Sequence, residues 1–282
     1  MSRLLIRHFL LPMVLTILSL SAQAEETYSF GVLPQRSPLL TAQYWNPILD
    51  WVSHRSGVNL DIKIAQSGGQ SGDAVRRGEY DFVYSNHQFK PTAAAQGYTV
   101  ILRRNAPDIM GALVVLDSSP IQSARDLEGK TVAFANPHGF TGFTVQMDYL
   151  AQQGIQVTQS FGGNQEGALK QMIIGSAAAA GVNSSILAGY ETREKVRFRV
   201  VWQSKPYRDL AISAHSRVPN SVVEAVRLAF LELNEDAEGV KILEASERLV
   251  GESTSIRFLR ASQQDCQDYL EFYRHNVFHD AD

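Results

Sequence analysis

From residue 27 onward the chain alternates short β-rich runs with helical patterns, and this alternation constrains its fold more than any other feature. Strands interleaved with helices predict an α/β protein with largely parallel sheets flanked by helices. "TYSFGVLP" (residues 27–34) reads as a buried strand that opens the fold. "SPLLTAQYWNPILDWVSHRSG" follows as a helix. Ser37 suits its N-cap, Pro38 its first turn and Gly57 its stop, while Pro47 predicts a kink or restart behind Asn46. "VNLDIKIAQ" reads as a second strand, "QSGDAVRRG" as a short helix ending at Gly78, and "YDFVYSN" as a third strand.

A repeat is visible a hundred residues further on. The helix–Gly–strand–polar order of "AVRRGEYDFVYSN" returns in "LKQMIIGSAAAAGVNSS", with Gly78 matching Gly175 and Ser85-Asn86 matching Asn183-Ser184. This predicts two similar lobes, with small polar groups at the carboxyl ends of the strands, where open α/β sheets bind ligands. We place the first crossover between lobes at residues 111–117 and the return within residues 198–219. Lobe 1 is then 25–112 and 206–282, and lobe 2 is 113–205. "NSVVEAVRLAFLELN" and "AEGVKILEASERL" read as amphipathic helices that pack back on the first lobe.

The start of the chain predicts export. Arg3 and Arg7 precede an apolar run that is too short to span a bilayer of about 30 Å, and "SAQA" then offers small residues for cleavage near Ala24. Residues 1–24 are read as a signal peptide and the destination as the periplasm. The remaining 258 residues carry 24 basic and 29 acidic side chains, a net −5 with His neutral. Phosphate-backbone binding needs a basic surface, so nucleic acid is not an expected partner. Cys266 is the single cysteine, which leaves neither an intrachain disulfide nor a thiolate zinc cluster, and its helical setting predicts a buried, inert thiol.

Four strand-to-helix turns gather the groups that could meet a ligand. In "FANPHGFTGFTVQMDYL" a strand stops at Pro137 and a helix follows, with Thr141 as its expected N-cap. A helix N-terminus offers unpaired N–H groups and a positive dipole end, and Gly139 and Gly142 would let a ligand approach closely. His138 has no Ser or Cys nucleophile nearby in sequence, so it reads as a turn residue. "VYSNHQF" crowds Tyr84, Ser85, Asn86 and His87 at a strand end. "FGGNQEGALKQ" supplies Gln165 behind Asn164, a natural N-cap, and "LPQRSP" supplies Gln35 and Arg36, a cation able to pair with an anion. The remaining histidines are scattered along the chain. Walker A, G-x-S-x-G and H-E-x-x-H motifs are absent. No enzyme, metal or cofactor is expected.

"FGVLPQRSPLLTAQYWNPILDWVSHRSGVNLDIKIA", "YDFVYSNHQFKP", "FGGNQEGALKQMIIGSAAAAGVNSS" and "VVWQSKPY", in that order, resemble the periplasmic phosphate/phosphite/phosphonate-binding proteins of ABC transporters, from about Phe30 to about Ser246. The resemblance implies a type II periplasmic binding protein: two α/β lobes, two hinge crossovers and a ligand closed between them. It also implies a monomer that captures a small anion and hands it to a membrane permease. In that family a Ser-Thr-Ser-Gly turn wraps the phosphonate oxygens. Here the matching turn is Gly139-Phe140-Thr141-Gly142, where only Thr141 keeps a hydroxyl and Phe140 takes the place of a small polar residue. The acids that hold an ammonium in aminoalkylphosphonate binders are replaced by Asn183-Ser184-Ser185. Thr141, with the backbone of Gly142 and Phe143, is expected to hold the anion. Tyr84, Ser85, Asn86 and His87 would face it from lobe 1, and Gln165, Asn183 and Ser184 from lobe 2. Phe140 and Tyr207 would add aromatic wall to a pocket suited to a less polar ligand. The alternative is a periplasmic sensing module that signals to a membrane receptor or kinase; a secreted enzyme on the same scaffold is a third reading.

Overall fold

The structure, a computed structural model, describes residues 26–251 and 257–279, so the expected signal peptide lies outside the described residues. Two sheets form. The first contains β1 (Thr27–Val32), β2 (Asn59–Ile64), β3 (Phe82–Ser85), β4 (Tyr98–Arg104), β10 (Ala211–His215) and β11 (Phe258–Arg260), in the order β11-β4-β10-β3-β1-β2. The second contains β5 (Gly111–Leu116), β6 (Thr131–Phe134), β7 (Thr158–Phe161), β8 (Ala179–Asn183) and β9 (Phe198–Gln203), in the order β7-β6-β8-β5-β9.

Both sheets share one plan, which gives the sequence repeat its structural meaning. β2-β1-β3 and β7-β6-β8 are each three parallel strands, and the next neighbour, β10 or β5, runs antiparallel. Each sheet is therefore mixed, and the parallel part predicted from the alternation is this three-strand unit. β3 and β8, the two echoing segments, occupy the same place in it. Each is preceded by a glycine in the left-handed region, Gly78 at φ +66° and Gly175 at φ +79°, where a side chain would be strained.

The first helix follows the cap signals that announce it. In α1 (Pro38–Ser56) the Ser37 hydroxyl accepts from Leu40 N–H and Gly57 closes the helix at φ +68°. The helix runs through Pro47 without the restart that the sequence offered as one outcome. Its buried side chains, among them Trp45, Ile48 and Val52, hold it on the first sheet beside α6 (Asn220–Glu232) and α7 (Ala237–Val250). That packing outweighs the one hydrogen bond the proline removes. α2 (Gly68–Arg76) is capped by Ser67.

Two connections link the sheets. Residues 105–110 lead from β4 to β5 and residues 204–210 from β9 to β10. They pair through Ile109 and Tyr207, whose N–H groups donate to each other's carbonyls at 2.7 and 2.8 Å. The first crossing therefore precedes Gly111; residues 111–116, taken from sequence as the crossover, are β5 of the second sheet. The last helix, α8 (Gln267–His275), and the tail after it reach the second half. Asp148 of α3 (Val145–Gln152) accepts from the N–H groups of Val277 and Phe278 at 2.7 and 3.0 Å. Cys266 is fully buried in the first core, and burial pushes its thiol up to about 12, consistent with an inert group.

Candidate functional site

The strand ends that the repeat marks out meet between the two sheets. Chain leaving β1 brings Leu33, Pro34 and Gln35, and chain leaving β3 brings Asn86. Chain leaving β6 brings Ala135, Asn136 and the turn Gly139–Gly142, and α4 (Gln165–Ile173) brings Gln165. These residues enclose a cavity of about 20 Å³. The halves touch closely beside it. A Cβ on Gly68, at the start of α2, would lie 2.2 Å from Asn136 Nδ2, and one on Gly69 would lie 3.1 Å from the His138 ring. The backbone of α2 thus abuts the 136–138 turn as only glycine allows.

The turn itself is wider than the sequence suggests. Residues Phe140–Thr144 form one π-helical turn that runs into α3: Thr144 N–H donates to the Gly139 carbonyl at 2.9 Å and Val145 N–H to the Phe140 carbonyl. Thr141 is therefore not the N-cap but the second residue of this turn. The cause is Phe140, whose ring is drawn into a box formed by Tyr207, Tyr269, Phe272 and Tyr273 at centroid distances of 4.8, 4.7, 5.0 and 5.7 Å. Three of those rings lie on α8, more than 120 residues away in sequence. The N–H groups of Phe140, Thr141, Gly142 and Phe143 have no acceptor within the helix, and the positive end of its dipole lies at the cavity. Gln146 ties the turn down from behind, its Nε2 donating to the carbonyls of Thr141 and Val182 at 2.7 and 3.1 Å.

Polar side chains complete the cavity, and none of its lining residues is charged. Asn86 is 3% exposed and its Oδ1 has no partner among the described residues. Gln165 Oε1 accepts from Asn183 N–H at 2.9 Å, which fixes its amide beside Gly142. Asn136 Oδ1 accepts from His138 N–H at 2.9 Å, an Asx turn that sets up the glycine after it. An acceptor-bearing ligand thus finds backbone donors on the second half, and Asn86 offers an acceptor for any proton the ligand carries.

Of the residues singled out from sequence, Gln35, Asn86, Phe140, Thr141, Gly142 and Gln165 come together here. The others lie elsewhere. The Tyr84 hydroxyl accepts from Arg104 Nη1 at 3.2 Å and donates to Asp209 Oδ2 at 3.3 Å, and the ring packs at a tilt against Trp45; with Arg36 it borders a separate small recess. Ser85 accepts from His87 N–H at 3.0 Å and is fully buried. His87 packs against Gly72 of α2, and burial, with Lys90 and His138 nearby, pushes it down to about 3, so it is a neutral core imidazole. The Phe143 ring packs in the second core against Phe134, Phe161 and Phe278, leaving only its N–H for the turn. Asn183 is buried and holds Ser185 N–H at 3.0 Å, and Tyr207 lies in the box around Phe140. Ser184 lines a second, larger cavity of about 270 Å³ that shares Gln35 with the first.

Sequence reasoning missed the ion pair between Arg104 and Asp209, both about nine-tenths buried, with Nε and Oδ2 3.3 Å apart. Nothing local marks it, because its members end one strand and precede another a hundred residues later. Asn136 could have been found, since Asn before Pro is a turn signal.

The family description "ABC transporter, phosphonate, periplasmic substrate-binding protein" matches residues 30–254. The chain belongs to this family. Solved relatives share its fold at low identity. A binding protein component of an ABC phosphonate transporter from Pseudomonas aeruginosa has a TM-score of 0.74 at 18% identity, with 89% of this chain and 85% of that one covered. PhnD1 from Prochlorococcus marinus, in complex with methylphosphonate, has a TM-score of 0.74 at 15% identity, covering 88% and 97%. A Xanthomonas citri protein bound to ATP has a TM-score of 0.66 at 18% identity, covering 89% and 99%. No curated protein matches the chain. The two sheets with their paired connections are the lobes and hinge of a type II periplasmic binding protein, and the family match supports the transport reading over the sensing module.

Proposed function

We propose that this phosphonate-family protein captures a singly charged phosphorus oxyanion at the 139–143 turn and delivers it, closed between two lobes, to a membrane permease from the periplasm. The lobes are the halves built on the two sheets, hinged where Ile109 pairs with Tyr207. The observation that carries the reading is the wide helical start at Phe140–Thr144, with four N–H groups free of helical acceptors, beside the unpartnered Asn86 Oδ1. Phosphonate oxygens would accept from Thr141, Gly142 and Phe143, while a protonated oxygen would donate to Asn86. With no cation in the lining, the helix dipole and these donors balance about one negative charge rather than two. Methylphosphonate in the Prochlorococcus relative is the ligand of that protein; here it serves as the smallest informative probe.

Calorimetric titration of the chain lacking residues 1–24 tests this. Methylphosphonate and phosphite should bind at one site, more tightly toward pH 6, where the singly protonated form gains weight, and sulfate and glutamate should not. Binding of sulfate or glutamate with phosphorus compounds silent would overturn the ligand class.

A further inference from the structure

The cavity at the 139–142 turn, about 20 Å³, leaves no room for a substituent, and the structure offers one continuation. Gln35 lines both the cavity of about 20 Å³ and the neighbouring one of about 270 Å³. The walls of the larger cavity come from both lobes and the connections: Arg104 and Val250 from the first lobe, Ile109, Met110 and Asp209 from the connections, Ser184 and Ser185 from the second lobe. We propose that this chamber receives the organic substituent of the ligand, so that the protein is built for organophosphonates or phosphate monoesters bearing a neutral, mainly aliphatic group of several carbons. The inference rests on the oxyanion reading given above.

The chemistry of the walls selects the substituent. The two carboxylates at the chamber already have cationic partners: Asp209 holds Arg104 at 3.3 Å and Asp108 holds Arg208 Nη1 at 3.1 Å. An ammonium would find no unneutralised acid, and a second anion no unneutralised base. Ile109, Met110, Ala188 and Val250 supply apolar surface, and the Ser184 and Ser185 side chains leave room for a hydroxyl on the substituent. The far wall is a contact between lobes. A Cβ on Gly189 of α5 (Leu187–Glu194) would lie 2.6 Å from the Val250 carbonyl at the end of α7, so glycine is what lets the second lobe close over the chamber there.

Titration with methyl-, ethyl-, propyl- and 2-aminoethylphosphonate decides it. Affinity should rise about fourfold per added methylene, so that propylphosphonate binds at least tenfold more tightly than methylphosphonate. 2-Aminoethylphosphonate should bind more weakly than propylphosphonate by tenfold or more. Ala188 is exposed at the chamber edge, and Ala188→Trp should abolish the propyl advantage while changing methylphosphonate affinity less than twofold. Equal affinity along the alkyl series, tightest binding of the amine, or equal weakening of both ligands by A188W would each overturn the chamber while leaving the oxyanion site standing. Silence of every phosphonate toward the unaltered protein would instead remove the oxyanion reading and the chamber with it.

Discussion

Replacing Phe140 by serine puts a small hydroxyl residue at this place in the turn, and the structure predicts that the change harms the protein. The ring is 2% exposed and meets Tyr207, Tyr269 and Phe272 within 5.0 Å. Truncating a buried phenylalanine costs about 3–5 kcal/mol, from lost transfer energy and the space left behind. Edge-to-face partners add about 0.5–1.5 kcal/mol each beyond area, and two of the four contacts have that character while the other two are tilted. At roughly 2–4 °C per kcal/mol for a chain of this size, Phe140→Ser should lower the melting temperature by about 6–20 °C. The ring also joins α8 to the turn, so amide exchange over residues 267–275 should accelerate. Phe140→Leu, which keeps most of the volume, should lose less on both counts. Thermal melts with and without methylphosphonate, together with exchange by mass spectrometry, provide the assay. A Phe140→Ser protein that melts within 2–3 °C of the original and binds methylphosphonate more tightly would refute the reasoning, because the ring would then be facing ligand instead of α8.

Three further outcomes follow from other contacts. His87 titrates near 6.5 when unfolded and is pushed down to about 3 in the fold. Its contribution is complete above pH 6.5 and is lost as the pH falls toward 3, by up to about 1.4 kcal/mol per unit. Urea titrations at several pH values should show this slope, and His87→Gln should flatten it. Gly142→Ala places a Cβ 2.5 Å from Gln165 Nε2 and displaces an amide whose Oε1 holds Asn183 N–H. It should cost about 1–3 kcal/mol in stability and weaken methylphosphonate tenfold or more by calorimetry; retained affinity would place the anion elsewhere. Asp148→Ala removes the acceptor for Val277 and Phe278 N–H, so limited proteolysis should clip the tail near residue 276 much faster than in the original.

How much of this was legible depends on how local each signal is. The Ser37 cap and the Gly57 stop of α1 are decided within a few residues, and both were readable. So was the repeat around Gly78 and Gly175, because equivalent positions in two sheets impose the same glycine conformation. The placement of the turn after β6 was readable too, since Asn136-Pro137 and two glycines mark it. Its inner geometry was not: Thr141 looks like an N-cap until α8 claims the ring of Phe140, and that pairing spans more than 120 residues. Tyr84 and His87 sit at a strand end that points toward the cleft, yet their partners are Arg104, Asp209 and Gly72, and sequence carries no sign of which way a side chain at a strand end will turn. Pro47 does not restart the helix, because burial along α1 outweighs one missing hydrogen bond.

The central claim is that backbone donors of the 139–143 turn hold the oxyanion. Amide nuclear magnetic resonance of ¹⁵N-labelled protein during titration with methylphosphonate addresses those donors one by one. The N–H signals of Thr141, Gly142 and Phe143 should move downfield and saturate together, with the Asn86 side-chain amide shifting at the same ligand concentration. Saturable binding that leaves these signals in place while shifting others would contradict the account.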